Sequence, residues 1–252
     1  MKKFITILFV ILLIGVMLIS SYFIFENSKE DKEQEKIFEE IKDIAENNNS
    51  KKDEKAEDNI DMKKLYKINP DIVAWIRIEN TTIDYPIMQT KENTDFYLRK
   101  NFYKQYSYLG TPFLSENCNI NTSDNLIVYG HHINNSKMFG QLENYKNKKY
   151  YEQHKNIKLF TLEEQQEYEI IAVFKTVAYT GFKYYDFVNA NDEREFKAFL
   201  NKCNELSFYN TEISAVYGDK LLTLSTCEYS SKNGRLVVVA KKINTEIQNI
   251  DM

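Results

Sequence analysis

The chain has 252 residues, with 33 Lys+Arg against 37 Asp+Glu, a formal charge of −4, 43% hydrophobic residues, three Cys and three His. Seven Gly and three Pro exclude collagen-like and low-complexity chains, and three Cys exclude a disulfide-dense scaffold. The absence of a basic surplus argues against a nucleic-acid partner, and the length suits one domain with appendages.

The charge is unevenly spread. Residues 1–25 carry only Lys2 and Lys3, residues 26–60 carry 13 acidic and 7 basic side chains, and residues 61–252 carry 24 of each sign. The acidity therefore belongs to a linker and says little about what the folded part binds.

Phe4 to Phe25 is a run of 22 residues without a charge. As a helix at about 1.5 Å per residue it measures about 33 Å, enough to cross a bilayer core. A cleavable signal peptide has an apolar stretch of about 7–15 residues followed by small residues. Here Ser20-Ser21 is followed by bulky Tyr22, Phe23, Ile24 and Phe25. Residues 1–25 are thus expected to be a cytoplasmic tip and a retained anchor that meets the membrane through residues 4–25. Lys2 and Lys3 before the run and Glu26 after it predict a single pass with the N-terminus cytoplasmic and the rest outside.

Residues 26–61 read as a charged stalk, part helix and part disordered. Ile37, Phe38, Ile41 and Ile44 form a narrow apolar stripe on a helix over about 30–46, which Asn47-Asn48-Asn49-Ser50 would stop. Residues 50–60 look disordered or extended. A spacer is the simplest role, and a partner-binding helix is the alternative.

From residue 62 to 252 the texture is that of one folded domain. A short helix over Met62–Tyr66 ends at Asn69-Pro70. β-rich runs follow at Ile72–Ile78, Thr82–Met88, Asn125–Tyr129, Ile157–Thr161, Tyr168–Val177, Lys220–Ser225 and Arg235–Ile243. Helical spacing appears over Ser136–Tyr145, through Met138, Leu142 and Tyr145. It appears again over Glu193–Leu206, where Asn191-Asp192 supplies a cap and Phe196, Phe199, Leu200 and Cys203 form one face. Many short strands with a few interposed helices predict a mainly β (α+β) fold, a closed or nearly closed barrel with peripheral helices.

Three side chains stand out chemically. Cys227 closes the run Leu221–Thr226, and a strand end exposes a side chain while a rigid sheet holds it. A free Cys is also commonly a small buried hydrophobe, so position alone leaves both readings open. His131 and His132 follow the strand Asn125–Tyr129 after Gly130, which permits a tight turn. A His near a Cys lowers the thiol pKa and later protonates a leaving amine; a solvated loop His is the plainer alternative. Arg235 begins the strand after Cys227, beyond the turn Ser230–Gly234. Pairing of the two strands would bring Arg235 beside Cys227, where a guanidinium could hold a carbonyl or stabilise an oxyanion. Cys203 reads as core and Cys118 as a loop thiol. With only His154 besides the pair, and no Cys-x-x-Cys or His-Glu-x-x-His spacing, no metal site is expected.

The order His, Cys, Arg separates this chain from other Cys–His enzymes. A papain-like protease places Cys first, and a caspase spaces its His about 50 residues before a Gln-Ala-Cys motif. An L,D-transpeptidase shows a Ser-x-Gly-Cys-type signature, which Ser225-Thr226-Cys227 lacks.

Thr223-Leu224-Ser225-Thr226-Cys227 with Arg235 downstream resembles the signature of the sortase family. Tyr129-Gly130-His131-His132, then Met138-Phe139-Gly140, is similar to the histidine segment of class B. Asn69-Pro70-Asp71-Ile72-Val73-Ala74-Trp75-Ile76 and Asp84-Tyr85-Pro86-Ile87 resemble the first strands of that class, and the helix over 193–206 its extra helix. Ala74 departs from the Gly common there. The resemblance covers about 62–245 and implies a sortase-like closed barrel outside the membrane on the cell-wall side. It implies Cys227 as nucleophile, His131 rather than His132 as acid/base, and Arg235 as the group that positions the scissile carbonyl. It implies transpeptidation of a C-terminal sorting signal of exported proteins, Asn-Pro-x-Thr-x-like or a variant, onto a peptidoglycan amine, with no cofactor. Around the nucleophile it points to Ser225, Glu228, Tyr184, Tyr185, Asn93 and Leu98 as substrate contacts. A hydrolytic cysteine peptidase of the same fold and a non-enzymatic surface-binding domain are the alternatives from other classes.

Overall fold

A computed structural model of the chain describes residues 2–46, 60–133 and 137–243. In chain order its helices are α1 (Lys2–Glu46), α2 (Met62–Ile68), α3 (Lys148–Gln153) and α4 (Glu193–Leu206). The strands are β1 (Ile72–Arg77), β2 (Asp84–Met88), β3 (Phe113–Leu114), β4 (Asn125–Tyr129), β5 (His132–Ile133), β6 (Lys137–Met138), β7 (Asn156–Thr161), β8 (Gln165–Val177), β9 (Leu221–Glu228) and β10 (Gly234–Ile243). Eight of them close into a barrel in the order β1-β2-β3-β4-β9-β10-β8-β7, and β7 pairs back onto β1. The β2–β3 and β4–β9 contacts are parallel and the rest antiparallel. β5 and β6 form a separate small hairpin. The fold is the expected one, mainly β with helices at the periphery.

Closure explains the texture of the strands. A barrel has no edge, so each strand is paired on both sides and its backbone polar groups are satisfied within the sheet. β9 and β10 are buried on both faces: Leu221, Leu222, Leu224 and Leu236–Ala240 are all fully buried, with alternate side chains facing the barrel interior and its covered outer side. α4 covers one side through Phe196, Phe199, Leu200 and Cys203. Its first turn is capped by Asp192, which accepts from the Glu195 N–H at 2.8 Å, while Glu195 reaches back to the Asn191 N–H at 2.9 Å.

The predicted strands lie within three residues of the observed ones at each end. β3, β5 and β6 were not expected, because two-residue strands leave no periodic signal. The segment expected as a helix over Ser136–Tyr145 is different. Ser136 lies outside the described residues, β6 occupies 137–138, and Phe139–Lys146 is a 3-10 helix. Its buried side chains Phe139, Leu142 and Tyr145 recur every three residues, the period of that tighter helix.

α1 is one uninterrupted helix of 45 residues. The apolar stripe expected on its second half packs against the chain's own barrel. Phe38, Ile41 and Ala45 are buried in a cluster with Leu65 of α2, Trp75 of β1, Met88 and Tyr97. Polar contacts frame the stripe. Lys42 Nζ lies 2.5 Å from Asp84, Glu46 2.6 Å from Arg77, and Glu35 2.7 Å from Lys137. Asp84 also accepts from Trp75 Nε1 at 2.6 Å and Arg77 Nε at 2.9 Å, so one carboxylate ties α1, β1 and β2 together. The stop at Asn47-Asn48-Asn49-Ser50 and the stretch to residue 59 lie outside the described residues.

Ile41 is fully buried at this junction. Ile41→Ala should therefore lower unfolding free energy by about 2–4 kcal/mol, the usual cost of such a cavity. Denaturant unfolding of the full chain reads it, and a loss below about 0.5 kcal/mol would mean that α1 is no part of the cooperative fold.

Candidate active site

β9 is the strand on which the site is built. On one side it runs parallel to β4, with Tyr129 in register with Ser225; on the other it runs antiparallel to β10, with Cys227 opposite Arg235. Directly opposed residues share a face with Cβ atoms about 5 Å apart, and residues two apart on a strand share it too. Ser225, Cys227 and Arg235 thus point to one side. The hairpin turn that sets this register closes at Gly234, where a Cβ would lie 2.2 Å from the Glu228 carbonyl oxygen.

The His pair is laced to the nucleophile strand by three hydrogen bonds. The Gly130 N–H donates to Ser225 O at 3.1 Å, Thr226 Oγ1 donates to Gly130 O at 2.8 Å, and His132 Nδ1 donates to Cys227 O at 2.9 Å. Gly130 is required here, because a Cβ would sit 2.6 Å from the Phe139 ring. A carbonyl oxygen can only accept, so the His132 contact fixes Nδ1 as protonated. The His132 ring lies edge-on to Tyr229 at 5.0 Å, and its Nδ1 is 3.9 Å from Glu143.

His131 is placed differently. It lines an open groove of about 490 Å³ together with Cys227, Arg235, Ser225 and Thr226. Its Nε2 donates to Leu98 O at 2.8 Å, which leaves Nδ1 as the basic nitrogen of the neutral ring. Burial pushes its pKa down; the bond to Leu98 opposes this and the Arg99 charge adds to it, and the net shift is downward.

The structure brings Tyr184, Tyr185 and Leu98 to the same groove as Ser225. The Tyr184 hydroxyl is 2.5 Å from Ser225 Oγ. Burial pushes its phenol up to about 12 against the opposing effects of Ser225 and Arg235, so it remains a hydroxyl. Tyr185 accepts from the Tyr179 N–H at 3.4 Å. Two residues stand apart from the groove lining. Glu228, itself buried, is turned to pair with the partly exposed Lys146 at 2.9 Å and is bonded by Ser230. Burial would raise its carboxyl, but the bonds from Ser230 and Lys146 outweigh that and hold its pKa at about 2. Asn93 is exposed on the loop before residues 96–99, its carbonyl accepting from Thr90 Oγ1 at 2.5 Å.

The groove also contains residues that sequence reasoning passed over, among them Tyr129, Tyr179 and Glu116. Tyr129 becomes visible only once the parallel β4–β9 register is known. The other two thiols differ from Cys227, which is partly exposed. Cys118 is buried and hydrogen-bonded to the Ile127 N–H at 3.4 Å, and burial pushes its pKa up to about 11. Burial pushes Cys203 up as well. A partly exposed thiol, a neutral imidazole and a guanidinium around one cleft are the parts needed for acyl transfer.

A model of the sortase domain matches residues 76–243. The sortase B of Staphylococcus aureus is 33% identical over 246 residues, covering 96% of this chain and 98% of that protein. The solved S. aureus sortase B–substrate complex superposes with a TM-score of 0.76 at 29% identity, covering 86% of this chain and 100% of that one. Clostridium perfringens sortase B does so with a TM-score of 0.66 at 34% identity, covering 73% and 100%.

Burial and the Arg99 charge both disfavour the imidazolium of His131, so removing that charge should move its pKa upward. NMR titration of His131 should give a value below the ordinary histidine range in the native chain and a higher one in Arg99→Gln. An unchanged or lower value in the variant would contradict this electrostatic account.

Proposed function

Because the chain belongs to the sortase family of cysteine transpeptidases, we propose that Cys227 is its nucleophile, His131 its acid/base and Arg235 its carbonyl-orienting group. The observation that carries this is their convergence on one groove, with Cys227 and Arg235 opposed across the β9–β10 pair.

In the proposed reaction the neutral His131 takes the proton of the Cys227 thiol as the sulfur attacks the scissile carbonyl of a C-terminal sorting signal. The Arg235 guanidinium donates to the oxygen on which charge develops. The C–N bond breaks, His131 protonates the departing amine, and a thioester with Cys227 remains. An amine of a peptidoglycan precursor then attacks the thioester. The neutral His131 accepts the amine's proton and the Cys227 sulfur leaves. The thioester divides one difficult exchange into two easier steps, because a thiolate leaves readily. Ser225, Tyr184, Tyr185 and Leu98 supply polar and apolar walls for an extended signal, Asn-Pro-x-Thr-x-like or a variant. Glu228 contributes behind the strand, by holding the Cys227 turn through Ser230 and Lys146, and Asn93 from the loop that carries Leu98.

The proposal extends to location. Helix residues Lys3–Glu26 are long and apolar enough to cross a membrane, and none of that stretch is buried against the rest of the chain. Residues 1–25 then form the tip and anchor, 26–61 the stalk and 62–252 the catalytic domain. Lys2 and Lys3 favour a cytoplasmic N-terminus, which puts the groove on the cell-wall side, where sorting signals and peptidoglycan precursors meet.

Cys227→Ala should abolish cleavage of sorting peptides. Arg235→Ala should lower kcat by about 10²–10³-fold with a smaller change in KM, since it acts on charge that forms in the transition state. Steady-state assays with a fluorogenic peptide and a glycine-based amine check both. Native rates in Cys227→Ala, or a change in KM alone in Arg235→Ala, would contradict the assignment.

A further inference from the structure

His131 is held from two sides, and the second half of α1 reaches both. On one side lies the β5–β6 hairpin, which continues directly from it: the Phe139 N–H donates to His131 O at 2.9 Å, and His132 pairs with Met138. On the other side lies Leu98, whose carbonyl accepts from His131 Nε2 at 2.8 Å. Cys227 and Arg235 are set differently, by the β9–β10 register.

The hairpin is strained and is held from outside. Met138 has a φ of +52°, in the left-handed region that a side chain such as Met avoids and keeps only where its surroundings enforce it. Its N–H donates to the Tyr85 hydroxyl at 3.2 Å, its side chain is 1% exposed, and the adjacent Lys137 pairs with Glu35 of α1 at 2.7 Å. Tyr85 is itself seated by α1, because the Phe38 ring meets it edge-on at 5.0 Å. Phe38, Tyr85, Lys137 and Met138 line one crevice, and Phe38 and Met138 belong to one buried cluster. Glu35 and Phe38 are three residues apart and so share a face of the helix. One turn of α1 therefore brings a charge and a ring to the segment that follows His131.

The Leu98 side is reached by Gln34, in the same turn. Its side chain is buried, and Nε2 donates to Gly110 O at 3.4 Å. A buried amide needs a partner, so this bond fixes the loop against the helix. Gly110 has a φ of +61°, and it packs so close to Leu98 that a Cβ there would lie 2.5 Å from Leu98 O. That oxygen is the one that accepts from His131.

We propose that Gln34, Glu35 and Phe38 of α1 are positioning residues for His131, locking the β5–β6 hairpin and the Leu98 loop in the arrangement that aims the imidazole into the groove. The inference rests on the assignment of His131 as acid/base above. Its consequence is that transfer needs a docked helix. Release of α1 frees the imidazole while Cys227 and Arg235 keep their places on the sheet, so the second half of α1 is more than a spacer.

The test uses the full chain in detergent micelles, with peptide-transfer kinetics and the ring nitrogen NMR shifts of His131 as readouts. Those shifts report which ring nitrogen carries the proton, and a purely structural role of Phe38 would not move them. The native ring should carry its proton on Nε2. In Phe38→Ala the shifts should move toward a mixture of tautomers. Its kcat should fall about 10–100-fold with KM within about twofold, because a misplaced acid/base group slows the chemical step. Phe38→Leu, which keeps an apolar side chain in the crevice, should recover most of the rate. Glu35→Lys leaves the core untouched and places two cations together. It should lower kcat about two- to fivefold, and Glu35→Lys combined with Lys137→Glu should restore it. This exchange carries the test if Phe38→Ala does not fold. Glu46→Gln, which removes the charge that meets Arg77 at the far end of the joint, should leave both readouts native. Native shifts and native kcat in Phe38→Ala, no loss in Glu35→Lys, or an equal loss in Glu46→Gln would overturn the proposal. His131→Ala separates the two claims. If it abolishes transfer while the helix variants stay native, positioning by α1 falls and the acid/base reading stands; if it transfers at the native rate, both fall.

Discussion

The placement of β9 between a parallel and an antiparallel neighbour is the constraint on which the rest of the structure depends. Pairing with β10 puts Arg235 opposite Cys227; pairing with β4 delivers the chain at Tyr129, one turn before His131. A one-residue slip in the β9–β10 register would exchange the two faces of β9 and take Cys227 off the side that Arg235 shares. The core that closes the barrel therefore also holds the three candidate groups at fixed separation. Gly130, Thr226 and His132 then bind the two segments directly, by three bonds at 2.8–3.1 Å on either side of His131. The adjacent histidines divide the work: His132 grips the backbone of Cys227, and His131 faces the groove.

Sequence reasoning reached the barrel and the helix over 193–206, and singled out three chemical side chains that line one groove, because each has a local signature. Strand alternation, a capped apolar face and the Thr-Leu-x-Thr-Cys run with its downstream Arg are all readable within a few residues. What stayed hidden depends on long-range pairing. Tyr129 joins the groove only through the β4–β9 register. Glu228 looks like a groove residue by its adjacency to Cys227, yet alternation and Lys146, 82 positions away in sequence, turn it aside. The segment over 139–146 was misread because apolar spacings of three and four are shared by 3-10 and α-helices over so few turns. The stripe of Ile37, Phe38, Ile41 and Ile44 was legible, but its partner was not: sequence cannot say that the surface it covers is the chain's own.

That docking changes what the apolar N-terminal helix can transmit. A flexible linker would let the barrel tumble, whereas an unbroken helix whose far half is buried against Trp75 and Leu65 hands its direction to the domain. The carboxylate of Asp84, shared by Lys42, Trp75 and Arg77, makes this joint polar as well as apolar. Fold, joint and groove thus form one mechanical unit, in which the chemistry keeps a set orientation to whatever surface holds the helix.

The central claim is that a thioester at Cys227 is the obligatory intermediate. It is tested most directly by rapid-quench mass spectrometry of the full chain with a sorting-signal peptide, followed by mapping of the adduct. The account predicts an acyl adduct confined to the peptide that contains Cys227, formed before product and discharged when a glycine-based amine is added. An adduct on Cys118 or Cys203, or turnover of the peptide with no adduct on Cys227, would contradict it.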